Sequence, residues 1–317
     1  MNEIDALAMQ ALARYGLSDR ATATLCNVSE NHTYRVDDED RAYALRVHRP
    51  GYRTPRQIES ELQWIDALRE DGAIETPTAV PATTGERVVD LGTHNVVLFE
   101  WLPGLTPDPD GDDLAAGFKT LGAVSARMHA HARAWTPPPR FDRPHWDYDH
   151  TLGANGHWGA WQAGLGIGPE ERALLDRLDQ TIARRLTAYG QRDRYGLVHA
   201  DIRLANLLVD DGAVRVIDFD DCGFAWFMYD FATTVSFMED HPRVPELQAA
   251  WLEGYREVAP LDPADEAQLH TFVMLRRLLL VAWIGSHHTF ATEAAELGAG
   301  FTAGTCALAE RYLSSHA

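Results

Sequence analysis

Apolar residues at Ile58, Leu62, Ile65 and Leu68 recur every three or four positions along 58–71, the stripe of one helix face. Residues 114–134 and 169–189 carry the same period, and 244–312 read as further helix. The first hundred residues are patterned differently. Tyr43-Ala44-Leu45-Arg46-Val47, Val88-Val89-Asp90-Leu91 and residues 95–101 are short segments that read as strands, the last two joined by Gly92-Thr93-His94. Pro50, Gly51 and Pro55 separate strand from helix, and Leu102-Pro103-Gly104 breaks the chain after the last of these strands. The pattern predicts an α+β chain, with a strand-rich part carrying one main helix over 1–101 and a larger, mostly helical part over 102–317. At 317 residues the chain also exceeds the size at which one core keeps growing.

Residues 137–168 fit neither period and are rich in Pro, Gly and aromatic side chains. Loops of this length are as a rule functional or disordered. Trp146, Trp158 and Trp161 predict an ordered one, packed on the helical part or walling a pocket.

Composition narrows the setting. Cys26, Cys222 and Cys306 are an odd set without CxxC or metal-ligand spacing, which points to a reducing compartment. Residues 1–17 are amphipathic and acidic, unlike a signal peptide, and no stretch approaches the roughly 20 apolar residues of a membrane span. The expectation is a cytoplasmic chain with no membrane partner. Lys plus Arg number 28 against 47 Asp plus Glu, a net charge of −19, so nucleic acid is repelled and a cationic small molecule attracted. An acidic surface serves solubility equally well, so charge ranks partners without locating a site.

Chemistry concentrates in His199-Ala200-Asp201-Ile202-Arg203-Leu204-Ala205-Asn206 and in Ile217-Asp218-Phe219-Asp220. Moving a phosphoryl group to a hydroxyl needs a carboxylate to orient the hydroxyl and accept its proton, and oxygen ligands to hold Mg²⁺ against the phosphates. Asp201 fits the first role, Asn206 and Asp218 the second. Leu207-Leu208-Val209 and Val214-Arg215-Val216-Ile217 flank an Asp-Gly hairpin signal. A two-residue Asp211-Gly212 loop pairs Asp210 with Ala213 and Val209 with Val214, and sets Asn206 opposite Ile217. Asn206 and Asp218 then meet at the base of the hairpin. Isolated Asp and Asn are ordinary turn residues, but four positions in register with a hairpin argue against that reading.

These segments, HADIRLANLL and the following VIDFDDCGFAWFMYDFA, resemble the aminoglycoside phosphotransferase and choline/homoserine kinase superfamily, nearest to its stress response kinase A-like branch. The resemblance implies a bilobal protein-kinase-like fold, with an antiparallel-sheet N-lobe and a helical C-lobe. It implies ATP and Mg²⁺ as cofactors, Asp201 as catalytic base, Asn206 and Asp218 as metal ligands and Asp220 as a weaker one. His199 then braces the loop, and Asp230 is the buried carboxylate that hydrogen-bonds its backbone.

The nucleotide side reads through the same resemblance. The chain holds a single lysine, Lys119, and 27 arginines. The strand 43–47 resembles the family strand that carries the cation for the α/β-phosphates, which here is Arg46, whose fork differs in geometry from a lysine point charge; ELQWIDAL resembles the family's Glu-led helix and makes Glu61 its partner. Residues 27–36 (NVSENHTYRV) stand where a glycine-rich loop is usual, with Ser29, Glu30 and Asn31 supplying the turn. Backbone groups from Glu100 to Leu102 hold the adenine edge. In 274–288 the resemblance places the acceptor pocket, with Arg277, Trp283 and His287 as substrate contacts, while the adjacent His287 and His288 face different sides of a helix and make no metal pair. The expectation is an ATP- and Mg²⁺-dependent kinase acting on a hydroxyl of a small, cationic molecule such as an aminoglycoside, amino alcohol or homoserine-like compound. A protein Ser/Thr kinase and a nucleotide-binding pseudokinase are the alternatives.

Overall fold

The computed structural model describes residues 3–210 and 212–316, so Asp211 of the expected hairpin loop lies outside the described residues. Two compact units emerge. One runs up to Gly104 and includes Pro137–Arg143 and Phe290–Thr292; the other comprises Leu105–Thr136, Pro144–Thr289 and the chain from Glu293 onward.

The first unit begins with α1 (Glu3–Arg14) and the strands β1 (Thr22–Val28), β2 (His32–Asp38) and β3 (Arg41–Val47). After α2 (Pro55–Glu70) come β4 (Ala79–Val80), β5 (Val89–Asp90) and β6 (Asn95–Glu100). They form a six-stranded antiparallel sheet in the order β1-β2-β3-β6-β4, with β5 also paired to β6. Strand alternation sends Tyr43, Leu45 and Val47 to one face, where Tyr34, Val36, Val96 and Leu98 join them against Ala8, Ala11 and Leu12 of α1. Arg46, between Leu45 and Val47, points to the opposite face. There α2 meets it. That helix starts at a capping box, Thr54 Oγ1 accepting from Gln57 N at 3.2 Å and Gln57 Oε1 from Thr54 N at 3.1 Å, with Pro55 in the first turn.

In the second unit α3 (Leu114–Ala134) and α7 (Val244–Val258) cross at backbone contact. A Cβ on Gly122 would lie 1.9 Å from Trp251 O, and one on Gly254 1.8 Å from Lys119 O. Glycine on both helices is what permits this approach. The unit also holds α4 (Tyr148–Thr151), α5 (Pro169–Tyr189), α6 (Tyr229–Thr234), α8 (Pro263–Glu266), α9 (Leu269–His287) and α10 (Thr292–His316). The span Pro263–His287 is long and apolar enough by composition to cross a membrane, and 83% of its most apolar 18-residue window is buried inside the protein. Its apolarity is that of a core helix, packed on all sides.

Two antiparallel pairs carry the chemistry-bearing loops: β7 (Tyr195–Val198) with β10 (Gly223–Trp226), and β8 (Leu207–Asp210) with β9 (Ala213–Val216). Val209 pairs with Val214 and Asp210 with Ala213, and Ile217 N donates to Asn206 O at 2.9 Å. The register is the one the Asp-Gly signal predicts. In the segment 137–168, Trp146 and Trp161 are buried, their Nε1–H groups donating to Asp221 O (2.8 Å) and Asp179 Oδ2 (3.0 Å). Pro137–Arg143 packs in the first unit, where Asp142 N donates to Ser60 Oγ and Arg143 Nη1 to Gln57 O.

Candidate active site

The loop after β7 is held from below by one carboxylate. Asp230, fully buried in α6, accepts from His199 N (3.2 Å) and Ala200 N (2.8 Å) and is bonded to His129 Nε2 (3.0 Å). Thr233 Oγ1 accepts from Ile202 N at 3.1 Å. These bonds hold Ala200 in the left-handed region at φ 65°, uncommon for a residue with a Cβ. The buried His199 ring spans the two segments: Nδ1 accepts from Asp201 N (3.2 Å) and Nε2 lies 3.1 Å from Ile217 O. Nε2 is therefore the protonated nitrogen of a neutral ring, and burial pushes the imidazole pKa down.

Asp201 emerges from this frame with both oxygens engaged. Asn206 Nδ2 donates to Oδ2 at 2.8 Å and to the Asp201 carbonyl at 2.9 Å, and Arg276 Nη2 of α9 lies 2.5 Å from Oδ1. Arg203 Nε is 3.5 Å from Oδ2. Burial pushes the Asp201 carboxyl up, against the Arg276 and Arg203 guanidinium groups that pull it down. Arg276 is itself fixed, Nε donating to Ser236 Oγ at 3.2 Å and Nη1 to Tyr229 OH at 3.4 Å.

The amide of Asn206 is oriented by its bonds to Asp201, so Oδ1 is the atom with which it could hold a cation. Asp218 begins immediately beyond the hairpin with φ 60°, exposed, while Asp220 is buried. Among the described residues no group of three or more His, Cys, Asp or Glu side chains forms a metal cage. Mg²⁺ does not require one, because it keeps waters and takes most remaining ligands from substrate phosphates. One amide and one carboxylate at the hairpin base fit that chemistry.

In the first unit Arg46 Nη2 lies 2.6 Å from Glu61 Oε1, with side chains 7% and 0% exposed. The Arg46 guanidinium also lies over the Phe99 ring at 5.3 Å. Ser29 N donates to Asn31 O at 3.1 Å, closing the turn between β1 and β2, and Asn31 Oδ1 accepts from Arg49 N at 3.1 Å. The amides of Glu100 and Trp101 are committed to Thr78 O (2.9 Å) and Ala42 O (3.2 Å).

Arg277, one of the expected acceptor contacts, is engaged with protein groups. Its Nη1 is 2.5 Å from Glu239 Oε2, its Nε donates to Thr305 Oγ1 at 3.0 Å, and it lies 3.6 Å over Phe301. Arg277 is a buried tie between α9 and α10, and its neighbour Arg276 reaches Asp201. Trp283 and His287 do lie on the Arg276 side of α9: Arg276 is 5.4 Å over the Trp158 ring, Trp158 packs edge-on to Trp283 at 6.4 Å, and Trp283 stacks on His287 at 5.3 Å. Spacing separates the two arginines. Residues 276, 283 and 287 are seven and four apart and share a helix face, whereas 277 is one step off it. Arg203 and Glu293, which pair at 2.8 Å, had no sequence signal beyond their charge.

The profile of the phosphotransferase enzyme family matches residues 25–265. Amicoumacin kinase of Bacillus subtilis (strain 168) is 27% identical, over 92% of this chain and 89% of that protein. The structure of the microcompartment-associated aminopropanol kinase is 50% identical, with a TM-score of 0.90 and 98% of each chain covered. The amicoumacin kinase hAmiN, in complex with AMP-PNP, Ca²⁺ and Ami, shares the fold at a TM-score of 0.77 and 24% identity, covering 96% of this chain and 93% of that one. With the profile spanning most of its length and the protein-kinase-like α+β fold in common, the chain belongs to the phosphotransferase enzyme family and is a kinase.

Proposed function

We propose that this kinase moves the γ-phosphate of ATP, with Mg²⁺, to the hydroxyl of a small amino alcohol of the aminopropanol type. The observation that carries this reading is the 50% identity to the microcompartment-associated aminopropanol kinase across 98% of both chains. The amicoumacin kinase complex with AMP-PNP and Ca²⁺ supports a nucleotide and a divalent cation of the same kind. The net charge of −19 favours a cationic acceptor over an anionic one.

Asp201 orients the acceptor hydroxyl and takes its proton, with Asn206 and Arg276 fixing the carboxylate. Asn206 and Asp218 hold the metal, and Asp220 supports them. When bound, Mg²⁺ neutralises charge on the phosphate oxygens. Arg46, held by Glu61, takes the α/β-phosphates, and the Ser29 to Asn31 turn, closed by the Ser29 N–H on Asn31 O, lies against them. The adenine edge meets the backbone at Glu100 and Leu102, Glu100 through its carbonyl because its N–H is committed to the sheet.

The test is direct. Purified protein with ATP and Mg²⁺ should release ADP when 1-amino-2-propanol is added, and Asp201→Ala should not. Phosphate appearing on a generic protein acceptor instead would replace this reading with a protein kinase. Nucleotide binding without turnover of any acceptor would replace it with a pseudokinase.

A further inference from the structure

Beside Asp201 the structure contains a small cation-binding arrangement, and a protein side chain fills it. Arg203 Nη1 lies 2.8 Å from Glu293 Oε1, its Nε 3.5 Å from Asp201 Oδ2, and its guanidinium carbon 5.3 Å from the Phe237 ring centre. Two carboxylates and an aromatic face are the groups that recognise an organic cation. Phe237 sits in the left-handed region at φ 68°, a conformation bulky residues rarely take and one that concentrates at functional sites. It also packs on Trp283 at 6.2 Å, continuing the aromatic side of the Arg276 face.

Glu293 stands in the first turn of α10, where an acidic residue complements the helix dipole. That accounts for an acid there. It does not account for its pairing with a residue two positions from Asp201. Arg203 is 20% exposed and Glu293 41%, so the pair is reached from solvent rather than locked in the core. It therefore differs from the Arg277–Glu239 pair, whose side chains are 4% and 0% exposed.

We infer that Glu293 recognises the ammonium group of the acceptor, and that Arg203 is a built-in surrogate cation that the ammonium displaces from Glu293. The inference deepens the amino-alcohol reading and rests on it. One guanidinium lies 2.8 Å from the Glu293 carboxylate and 3.5 Å from that of Asp201, so their separation is set by the width of one planar group and these two distances. A hydroxyl at Asp201 and an ammonium at Glu293 span that separation when they are carried on neighbouring or next-but-one carbons. The class is short amino alcohols. Longer chains place the charge beyond Glu293. Displacement releases Arg203 Nη1 while its Nε stays beside the Asp201 carboxylate, so Arg203 acts as a positioning residue that links occupation of the acceptor site to Asp201.

Three variants and two readouts test this. Acceptors are 1-amino-2-propanol, its uncharged analogue propane-1,2-diol and 5-amino-1-pentanol; turnover is followed by ADP release and binding by calorimetry. In Glu293→Gln, KM for 1-amino-2-propanol should rise about tenfold or more, the worth of a charge-assisted contact. Its kcat should change by less than about threefold, and the preference over propane-1,2-diol should fall by the same factor as KM rises. Glu293→Asp should restore part of the preference. In Arg203→Met, KM for 1-amino-2-propanol should fall, because its competitor is gone, while kcat also falls; a merely structural arginine would not lower KM. A Glu293→Gln enzyme that keeps its preference for the charged acceptor overturns the inference, as does a wild-type enzyme that prefers 5-amino-1-pentanol. If wild type binds 1-amino-2-propanol in a Glu293-dependent way but never transfers phosphate to it, the recognition site stands and the proposed reaction falls.

Discussion

Arg276 Nη2 lies 2.5 Å from Asp201 Oδ1, across 75 residues of sequence, so the core helix α9 sets the direction of the carboxylate at the centre of the site. Arg276→Met removes the charge that offsets desolvation of Asp201. It should cost about 3 kcal/mol of stability, the usual consequence of stripping one partner from a buried pair, and lower kcat. Arg277→Met should cost a similar amount, because Glu239 is left in the core, yet leave the acceptor KM unchanged. Urea midpoints and steady-state kinetics on both variants distinguish the two adjacent arginines, and a shifted acceptor KM in Arg277→Met would return that residue to the acceptor site.

Replacing the proposed base is a different experiment. Asp201→Ala should lower kcat about 10²- to 10⁴-fold, the worth of general-base catalysis, and leave ATP affinity within a few-fold of wild type. Asp218→Ala should instead remove the Mg²⁺-dependent part of nucleotide binding, and chelation of Mg²⁺ in the wild type should do the same. Titrating ATP with and without Mg²⁺ separates these outcomes; equal affinity in Asp218→Ala and wild type would count against the hairpin-base ligand set.

Asp230 governs the shape of the loop rather than its chemistry. Asp230→Ala leaves the amides of His199 and Ala200 and the His129 ring without their common acceptor. A loss of about 2 to 4 kcal/mol is expected for several buried donors left unpaired, and kcat and nucleotide affinity should fall together because the same loop carries Asp201 and Asn206. Thermal melts and ATP titrations set beside Asp201→Ala, which should lose stability at the Arg276 pair yet keep its nucleotide affinity, provide the comparison.

The α3–α7 crossing predicts an intolerance with no functional content. Gly254→Ala directs a methyl group at the Lys119 carbonyl, which is backbone and cannot rotate away. The two helices must separate, at a cost of about 3 kcal/mol or more. Denaturant unfolding measures it, and a wild-type midpoint would mean that the helices shift apart freely.

What was legible in the sequence follows from the range of the forces involved. The hairpin from Asn206 to Asp218 is local, with its register fixed by turn chemistry and a period of two, so it could be read in advance. The Arg46–Glu61 pair follows from a strand alternation and a helix period, both local, joined through the family resemblance. Arg276 was different. Its partner lies far away in the chain, and on a helix buried on every side the apolar pattern marks no face, so the choice between residues 276 and 277 had to come from their spacing to Trp283 and His287. The Arg203–Glu293 pair depends on where α10 begins relative to the loop after β7, a tertiary relation with no periodic trace. The division of residues 137–168 between the two units is of the same kind.

The arginine at position 46 has a practical corollary. Reagents that acylate amines, including nucleotide acyl phosphates built to tag the lysine of ATP sites, find one side-chain target in this chain, Lys119, and it is occupied on the outside of the α3–α7 pair by Glu253 and Glu257, each 2.7 Å away. Proteome surveys that enrich kinases through such a tag will pass over this enzyme even when it is fully active.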